Sequence, residues 1–283
     1  MTRITSLANP HVAQIRDLHT TKGRKKSGLL LMEGPHLLAA LLAADMLPRE
    51  IYYQPELLQR TPDGRALLAR LLHPSSAWSS VSLFEVSERV AEALSDAQTS
   101  QGVLCVLPVQ LFNPERLLAR RPRARRPALL ILDDLADPGN MGTILRTALA
   151  ADVQEVLLTP RCVDCYSPKV VRAAAGAHVA LPVWTEMSWP AIAERVDRHC
   201  GAEAQRVFIA EARGSQPYYG EDLTRPFALI IGNEAHGPSQ QARVLANKVI
   251  SIPLANAVES LNAAMATGIL LFEAVRQLRL SQA

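Results

Sequence analysis

The stretch Leu129-Leu-Ile-Leu-Asp-Asp134, followed by a turn and by a helical segment from Asn140 to Ala151, decides the fold. The alternation of strand and helix continues downstream without an internal repeat: the apolar runs EVLLT, VALPVW, RVFIAEA, FALIIG and VISIP have strand length, and helical segments separate most of them. Continuous apolar runs are typical of strands buried on both faces, whereas half-buried strands alternate. The sequence therefore predicts an α/β fold, with a parallel sheet and helices on both of its faces.

The chain closes with a long apolar helix, predicted from about Glu259 to Leu278. Helical spacing places one apolar stripe on it. The residues of this stripe are Leu261, Met265, Gly268, Phe272 and Val275.

The N-terminal half has a different character and predicts a smaller α/β domain. The runs LLLMEG, EIYYQ and GVLCVL are apolar and short; Leu29 to Met32 is predicted as a strand and Pro35 to Leu42 as the next helix. A stretch rich in proline and arginine follows, and proline removes a backbone donor and fixes φ. We expect domains at residues 1–107 and 127–283, with a linker at residues 108–126.

The charge distribution is more informative than the net charge of +3, which permits a nucleic-acid partner without demonstrating one. Lys22, Arg24, Lys25 and Lys26 form a basic run near the N-terminus. No signal-peptide core and no apolar stretch of about 18 residues is present in the sequence. We therefore expect a cytoplasmic protein with no membrane association.

The four cysteines are too few for a disulfide scaffold in a chain of this length. Cys162 and Cys165 form a CxxC, but neither a second pair nor histidines at ligand spacing accompany it. We therefore expect no metal site.

Parallel sheets bind ligands at the carboxyl ends of their strands, commonly through glycine-bearing loops. The chain has no GxGxxG, which excludes a dinucleotide fingerprint. The segment from Gly232 to Gly237 has the glycine spacing of a phosphate-binding loop, but Pro238 stands where the lysine is needed. Neither of these nucleotide sites is present.

Three other segments form one constellation: Asp137-Pro-Gly-Asn-Met-Gly-Thr-Ile-Leu-Arg-Thr-Ala148, Leu229-Ile-Ile-Gly-Asn-Glu-Ala-His-Gly-Pro-Ser239 and Ile250-Ser-Ile-Pro-Leu-Ala-Asn-Ala-Val-Glu-Ser-Leu-Asn262. In these motifs, and in residues 167–176 between them, the sequence resembles the SpoU (TrmH-type) branch of the SPOUT RNA methyltransferases. The N-terminal half is similar to the L30e-like substrate-binding domain of that family. Four features carry this second likeness: Ser6-Leu-Ala-Asn-Pro10, the basic run, Glu33-Gly34 and Ser100-Gln-Gly102.

The resemblance implies an S-adenosylmethionine-dependent enzyme that methylates a ribose 2′-hydroxyl of RNA. It further implies a C-terminal trefoil knot whose loops hold the cofactor, and a homodimer formed through the knotted domain. The cofactor-binding positions that it assigns are Gly232, Ile252, Leu254 and Leu261. It assigns catalytic roles to Asn140, Arg146, Glu234, Ser260 and Asn262. The basic run of Lys22, Arg24, Lys25 and Lys26 is the expected RNA contact.

Physical chemistry refines these roles. Because a guanidinium stays protonated, we expect Arg146 to bind the phosphate beside the target ribose and to stabilise the developing alkoxide rather than to act as a base. Glu234 either orders the loops by accepting backbone N–H bonds, the role we favour, or holds Arg146. Ser260 and Asn262 can cap the last helix as well as face the substrate, and a purely capping role is the alternative. Gly232 would let the backbone approach the cofactor closely.

The chain departs from the family pattern in the cofactor loop, where Asn256 and Ala257 replace a common glycine pair. Asparagine tolerates unusual φ and alanine does not, so we expect a somewhat different loop geometry. The L30e-like domain favours ribosomal RNA of the large-subunit (23S) type as substrate. The alternatives are a tRNA 2′-O-methyltransferase, a base-methylating enzyme of the wider superfamily, and an inactive RNA-binding protein that retains the fold.

Overall fold

The computed structural model describes residues 2–73, 78–121, 128–201, 206–212 and 216–281. They form two compact units. The first comprises the chain up to Leu111 together with Tyr166–Val179, and the second comprises Phe112–Cys165 and the chain from Ala180 onward. Among the described residues, no helix is both long and apolar enough to cross a membrane.

The first unit is built on a five-stranded mixed sheet in the order β1-β4-β3-β5-β2. Its strands are β1 (Thr2–Ile4), β2 (Leu29–Glu33), β3 (Glu50–Tyr53), β4 (Ser82–Val86) and β5 (Val103–Pro108). Strands β1, β4 and β3 pair in parallel, and β5 pairs antiparallel with both β3 and β2. Its helices are α1 (Pro10–Leu18), α2 (Thr21–Ser27), α3 (Pro35–Ala43), α4 (Pro55–Leu58), α5 (Pro62–Leu72) and α6 (Glu88–Leu94).

Local sequence explains where these helices begin. The side chains of Asn9, Thr20, Thr61 and Ser87 each accept a hydrogen bond from a backbone N–H of the first turn of the helix that follows. Such caps satisfy donors that have no partner inside the helix. The strand and the helix predicted from Leu29 onward are both present, as β2 and α3.

The first part of the stretch predicted as a linker contains a helix. Residues Val109–Phe112 form a 3₁₀ turn, and α7 (Pro114–Arg120) follows, with Leu117 buried. Pro114 occupies the first turn of α7, where its missing N–H costs nothing, and Asn113 caps the helix. Residues 122–127 lie outside the described part of the chain.

The second unit contains a seven-stranded sheet in the order β10-β12-β9-β11-β6-β7-β8, and every pairing in it is parallel. Its strands are β6 (Ala128–Leu132), β7 (Val156–Leu158), β8 (Val183–Trp184), β9 (Val207–Ala210), β10 (Gln216–Pro217), β11 (Phe227–Ile231) and β12 (Lys248–Ser251). The helices that follow α7 are α8 (Pro138–Ala150), α9 (Pro168–Ala174), α10 (Trp189–Cys200), α11 (Gln240–Leu245) and α12 (Ala263–Ser281). Helix α9 packs with the first unit.

Burial on both faces of the central strands explains their unbroken apolar sequence. On one face, Ile131 and Ile230 join a core that includes Ile192 and Val196 of α10. The alternate residues of β6 and β11 are buried as well. The predicted α/β fold with a covered parallel sheet is confirmed.

Helix α12 differs from the expectation in both its start and its buried face. It begins at Ala263 rather than near Glu259, and its buried residues are Ala264, Thr267, Leu270, Leu271 and Ala274. Two members of the predicted stripe are exposed, Met265 at 60% and Phe272 at 48%. The apolar run VALPVW is likewise not one strand, because Ala177–Val179 forms a 3₁₀ turn and only Val183–Trp184 pairs.

Candidate active site

A cavity of about 750 Å³ opens in the second unit at the carboxyl edge of the sheet. Its walls come from the segments that follow β9, β11 and β12, from Arg243 on α11, from the start of α12, and from Asn140 on α8. All four predicted cofactor-binding residues line it, namely Gly232, Ile252, Leu254 and Leu261. The catalytic candidates Asn140, Glu234, Ser260 and Asn262 line it as well. The fold therefore brings together residues that are distant in sequence.

Gly232 is required by the loop itself. A Cβ atom at this position would lie 2.3 Å from the backbone nitrogen of Pro238 and 2.6 Å from the carbonyl carbon of Gly237. The loop turns back on itself through paired hydrogen bonds between Asn233 and Gly237. The close approach that requires the glycine here is to the protein's own backbone, and the approach to the cofactor stays a prediction.

Three polar side chains form a chain of hydrogen bonds at the mouth of the cavity. Asn140 Nδ2 donates to Glu234 Oε1 over 3.0 Å, and Asn262 Nδ2 donates to Asn140 Oδ1 over 2.8 Å. Asn262 Oδ1 accepts from the backbone N–H groups of Ala264 and Met265, and so caps α12. We call Glu234, Asn140 and Asn262 the polar relay.

The direction of the polar relay is fixed by its charged end. An ionised carboxylate can only accept hydrogen bonds, so Asn140 must present its NH₂ group to Glu234 and its oxygen to Asn262. Asn262 must then donate to Asn140, which leaves its oxygen for the helix N-terminus. Each amide therefore has one allowed orientation, and the side chains are held in place before any ligand binds.

Glu234 also orders the turn before α8, because its oxygens accept from the backbone N–H groups of Ala136 and Asp137, each over 3.2 Å. Burial would raise the pKa of Glu234, but the hydrogen bonds from Asn140 and from these backbone groups outweigh it and lower the pKa. A carboxylate with a lowered pKa and three donors to its oxygens is a poor general base. Its contacts suit an ordering role.

Two aspartates that the sequence did not single out hold the same loops. Asp133, buried at the end of β6, accepts a hydrogen bond from the Ser239 N–H over 2.7 Å. The Asn233 side chain donates to the backbone oxygen of Asp134 over 2.8 Å. Both lie at the carboxyl end of a central strand, which is the position that could have identified them.

The cofactor loop adopts left-handed backbone at Asn256, with φ of 59°, and at Ala257, with φ of 49°. Ala257 thus takes up the conformation that suits glycine, and the expected difference in loop geometry stays a prediction. A residue with a Cβ pays roughly 1–2 kcal/mol for it. The alanine at this position therefore carries backbone strain.

Arg146 and Ser260 have fewer contacts. Arg146 is exposed on α8 and does not line the cavity, and its side chain has no hydrogen bond or ion pair with the described residues. Ser260 is exposed at the cavity wall, and the capping of α12 falls to Asn262 instead.

The basic run lies on α2 of the first unit and divides into two kinds of residue. Lys22, Lys25 and Lys26 are exposed. Arg24 is only 4% exposed, and its guanidinium donates to the backbone oxygen of Leu18 over 2.8 Å and to Thr21 Oγ1 over 3.1 Å. Arg24 is therefore a structural residue, and its prediction as an RNA contact is wrong.

Comparison with known proteins agrees with this geometry. A model of the SpoU rRNA Methylase family matches residues 127–272, and a model of the MRM3-like substrate binding domain matches residues 9–105. The chain belongs to the SpoU rRNA methylase family. The L30e-like first half and the methylase second half predicted from the motifs thus each have a counterpart.

Individual relatives extend over nearly the whole chain. An uncharacterized tRNA/rRNA methyltransferase of Synechocystis is 36% identical, over 97% of this chain and 93% of that protein. The 23S rRNA (guanosine(2553)-2′-O)-methyltransferase RlmP of Bacillus subtilis is 30% identical, over 96% of this chain and 98% of RlmP. Among solved structures, the SpoU methyltransferase AviRb of Streptomyces viridochromogenes in complex with S-adenosylmethionine superposes with a TM-score of 0.81 at 26% identity, over 96% of this chain and 99% of AviRb.

Proposed function

We propose that the protein is an S-adenosylmethionine-dependent RNA methyltransferase that modifies a ribose 2′-hydroxyl, with ribosomal RNA of the 23S type as its substrate. The observation that carries the proposal is the polar relay, which sits at the mouth of a cavity of cofactor size in a member of the SpoU family. RlmP, a 23S rRNA 2′-O-methyltransferase by name, supports the choice of substrate.

The residues of the cavity fit S-adenosylmethionine. Its volume of about 750 Å³ lies within the usual range of roughly 300–1,000 Å³ for small-molecule sites. Ile252, Leu254 and Leu261 would hold the adenosine part between apolar walls, and the loop after β11 would offer its backbone groups. When bound, this cofactor supplies a methyl group activated by a sulfonium.

The protein's own residues would position the ribose and manage its proton. Asn140 has a second N–H besides the one given to Glu234, and this donor can hold the 2′-oxygen. Arg146, exposed on the same helix, would bind the adjacent phosphate and stabilise negative charge that develops on the oxygen. Ser260 borders the cavity where it can contact the ribose. Glu234 fixes Asn140 rather than accepting the proton.

The first unit would bind the RNA. Lys22, Lys25 and Lys26 on α2 present cationic side chains to solvent, and such contacts to phosphates fix position without reading sequence. The match to a substrate binding domain over residues 9–105 supports this division of labour. A ribosomal substrate would place the enzyme with ribosomes, in the cytoplasm.

A homodimer and a trefoil knot complete the proposal. Met265, Phe272 and Leu280 recur along α12 at spacings that return to one helix face, and all three are exposed. An apolar helix face of this kind needs a partner, and a second copy of the chain would cover it. The loops that would form the knot follow β11 and β12, where Asn233 and Asn262 bond to residues of the β6–α8 segment.

The direct test is methyl transfer from radiolabelled S-adenosylmethionine to ribosomal RNA, followed by digestion to nucleosides. We expect label in a 2′-O-methylnucleoside, and its loss in Arg146→Ala and Asn140→Ala. Label in a methylated base, or cofactor binding with label only on tRNA, would refute the assigned product or the assigned substrate respectively. Failure to bind S-adenosylhomocysteine would refute the proposal as a whole and favour an RNA-binding protein without catalysis.

A further inference from the structure

The cavity contains an ion pair that the polar relay does not use. Glu211 directly follows β9, at the carboxyl edge of the sheet, and Arg243 lies on α11; both line the cavity. An Arg243 Nη1–Glu211 Oε1 contact joins them, with side chains 44% and 24% exposed respectively. The pair is thus at the solvent-facing rim of the cavity rather than in the core.

Few charged side chains line the cavity, and this limits the kinds of ligand group that the Arg243–Glu211 pair can bind. The acidic lining residues are Glu211, Glu234 and Glu259, and Arg243 is the sole cationic side chain among the described residues of the lining. Glu234 already accepts hydrogen bonds from Asn140 and from two backbone N–H groups. Arg243 and Glu211 therefore offer one positive and one negative group side by side.

The cofactor of the proposed reaction carries a matching pair of charges. Its methionine part ends in an α-carboxylate and an α-ammonium on one carbon, remote from the adenosine that the apolar walls suit. A guanidinium binds a carboxylate through paired N–H donors, and a carboxylate accepts from an ammonium. An adjacent Arg–Glu pair can exchange its mutual contact for these two contacts without leaving either charge unpaired, which limits the desolvation cost.

We infer, on the basis of the proposed function, that Arg243 and Glu211 form the recognition site for the amino-acid end of S-adenosylmethionine. Arg243 binds the α-carboxylate and Glu211 binds the α-ammonium. The two residues determine cofactor affinity and are not catalytic, because they act at the end of the molecule remote from the methyl group.

The test is a titration calorimetry series with three ligands that share the adenosine part and carry both, one or neither of the two charged groups at the amino-acid end. S-Adenosylhomocysteine carries both charged groups, decarboxylated S-adenosylmethionine keeps the ammonium alone, and 5′-methylthioadenosine has neither. Arg243→Gln should raise the Kd for S-adenosylhomocysteine about tenfold, since half-exposed hydrogen bonds between charged groups are lost. It should leave the Kd for the other two ligands within about twofold.

Glu211→Gln makes the reciprocal prediction. It should weaken both S-adenosylhomocysteine and decarboxylated S-adenosylmethionine, and should spare 5′-methylthioadenosine. The matched control is Arg198→Gln, which breaks an exposed Arg–Glu pair on α10 with Glu194 outside the cavity. This control should change none of the three affinities.

The outcomes distinguish failure of the Arg243–Glu211 assignment from failure of the proposed function. If wild-type protein binds S-adenosylhomocysteine but Arg243→Gln leaves that affinity unchanged, or weakens 5′-methylthioadenosine equally, the assignment of the pair is overturned while the proposed function stands. If wild-type protein binds none of the three ligands, the proposed function itself fails. Unchanged 5′-methylthioadenosine binding also demonstrates that each variant is folded around its cavity.

Discussion

Replacing Glu234 with glutamine tests whether the carboxylate orders the turn before α8. Glu234 accepts three hydrogen bonds at 3.0–3.2 Å, from Asn140 Nδ2 and from the N–H groups of Ala136 and Asp137. Glutamine has one acceptor oxygen, so it keeps at most two of these bonds and turns an NH₂ group toward the third donor. The remaining hydrogen bonds are then made to a neutral amide oxygen rather than to a charged carboxylate.

The magnitude follows from these bonds. Hydrogen bonds to charged groups contribute about 1.5–3 kcal/mol and neutral ones about 0.5–1.5 kcal/mol, and exposure to solvent favours the lower values. We therefore expect Glu234→Gln to lower the local opening free energy of the turn by about 1–2 kcal/mol. Amide exchange of a peptide covering residues 133–141 should accelerate by about 5- to 30-fold. Methyl transfer should fall at least about tenfold, because Asn140 loses its fixed orientation.

The pH dependence gives a sharper signature. The pKa of Glu234 is lowered from its ordinary value of 4.5, so folding favours its ionised form. Its contribution to stability is then complete above pH 4.5 and is lost as the pH falls through the lowered pKa. The ratio of exchange rates between Glu234→Gln and wild type should therefore be large at neutral pH and approach one in acid.

The control is Glu259→Gln, which removes a carboxylate from the same cavity. Glu259 is exposed and has no hydrogen bond to the described residues of the turn. Its replacement should leave exchange in residues 133–141 unchanged at every pH. Equal exchange in wild type and Glu234→Gln at neutral pH, or acceleration of the same size in Glu259→Gln, would refute the ordering role.

Four further predictions concern strain, assembly, RNA contact and the stability of the first unit. Ala257→Gly should raise the free energy of unfolding by about 0.5–1 kcal/mol in urea titrations, because relief of left-handed strain exceeds the entropy that glycine adds to the unfolded chain. Phe272→Asp should weaken self-association at least about tenfold in sedimentation equilibrium, since it places a charge on the exposed apolar face of α12. Lys26→Ala should weaken RNA binding and reduce the slope of log Kd against log salt by about 1. Arg24→Ala should instead destabilise the first unit by about 1.5–3 kcal/mol, because its buried guanidinium bonds Leu18, and should leave that slope unchanged.

Matched substitutions separate these effects from general ones. Ala175→Gly relieves φ of 47° at the end of α9, far along the chain from the cofactor loop, and should stabilise without altering affinity for S-adenosylhomocysteine. Leu72→Asp changes an exposed apolar residue of the first unit and should not affect sedimentation. Destabilisation by Ala257→Gly, or an unchanged association constant for Phe272→Asp, would contradict the first two predictions. An unchanged salt slope for Lys26→Ala would contradict the third.

The central sheet could be predicted because β6 and β11 are buried on both faces, so every residue of these two strands is apolar. Short strands at the edge of a sheet have no such continuous apolar sequence. Strands β1 and β10 lie at sheet edges, have three and two residues respectively and are largely exposed, so their sequences do not differ from those of loops. Helix α12 was recognisable as a helix, but apolar side chains on more than one face hide which face is buried, and only its packing against α8 decides it.

The role of a side chain could be predicted where it belongs to a sequence motif. It could not be predicted where it depends on a contact between segments that are distant in sequence. Asn140 and Asn262 were assigned from the resemblance, yet their bond to one another joins segments that sequence spacing cannot relate. Arg24 sits within a run of like charges, and nothing local distinguishes it from Lys25 and Lys26. The contact of Glu211 with Arg243 is likewise visible only once the loops after β9 and β11 meet.

The polar relay also explains how the cofactor loop can hold its strain. The loop is fixed at one end by β12, which pairs with β9 and β10, and at the other by Asn262, which is bonded to Asn140 and caps α12. Between these anchors the backbone must turn through the left-handed residues Asn256 and Ala257, a conformation that persists only where its surroundings impose it. Loss of Asn140 would release one anchor, so it would weaken cofactor binding as well as the hold on the ribose. A fall in methyl transfer alone therefore cannot assign Asn140 to the chemical step, and the Kd for S-adenosylhomocysteine must be measured beside kcat to divide its two effects.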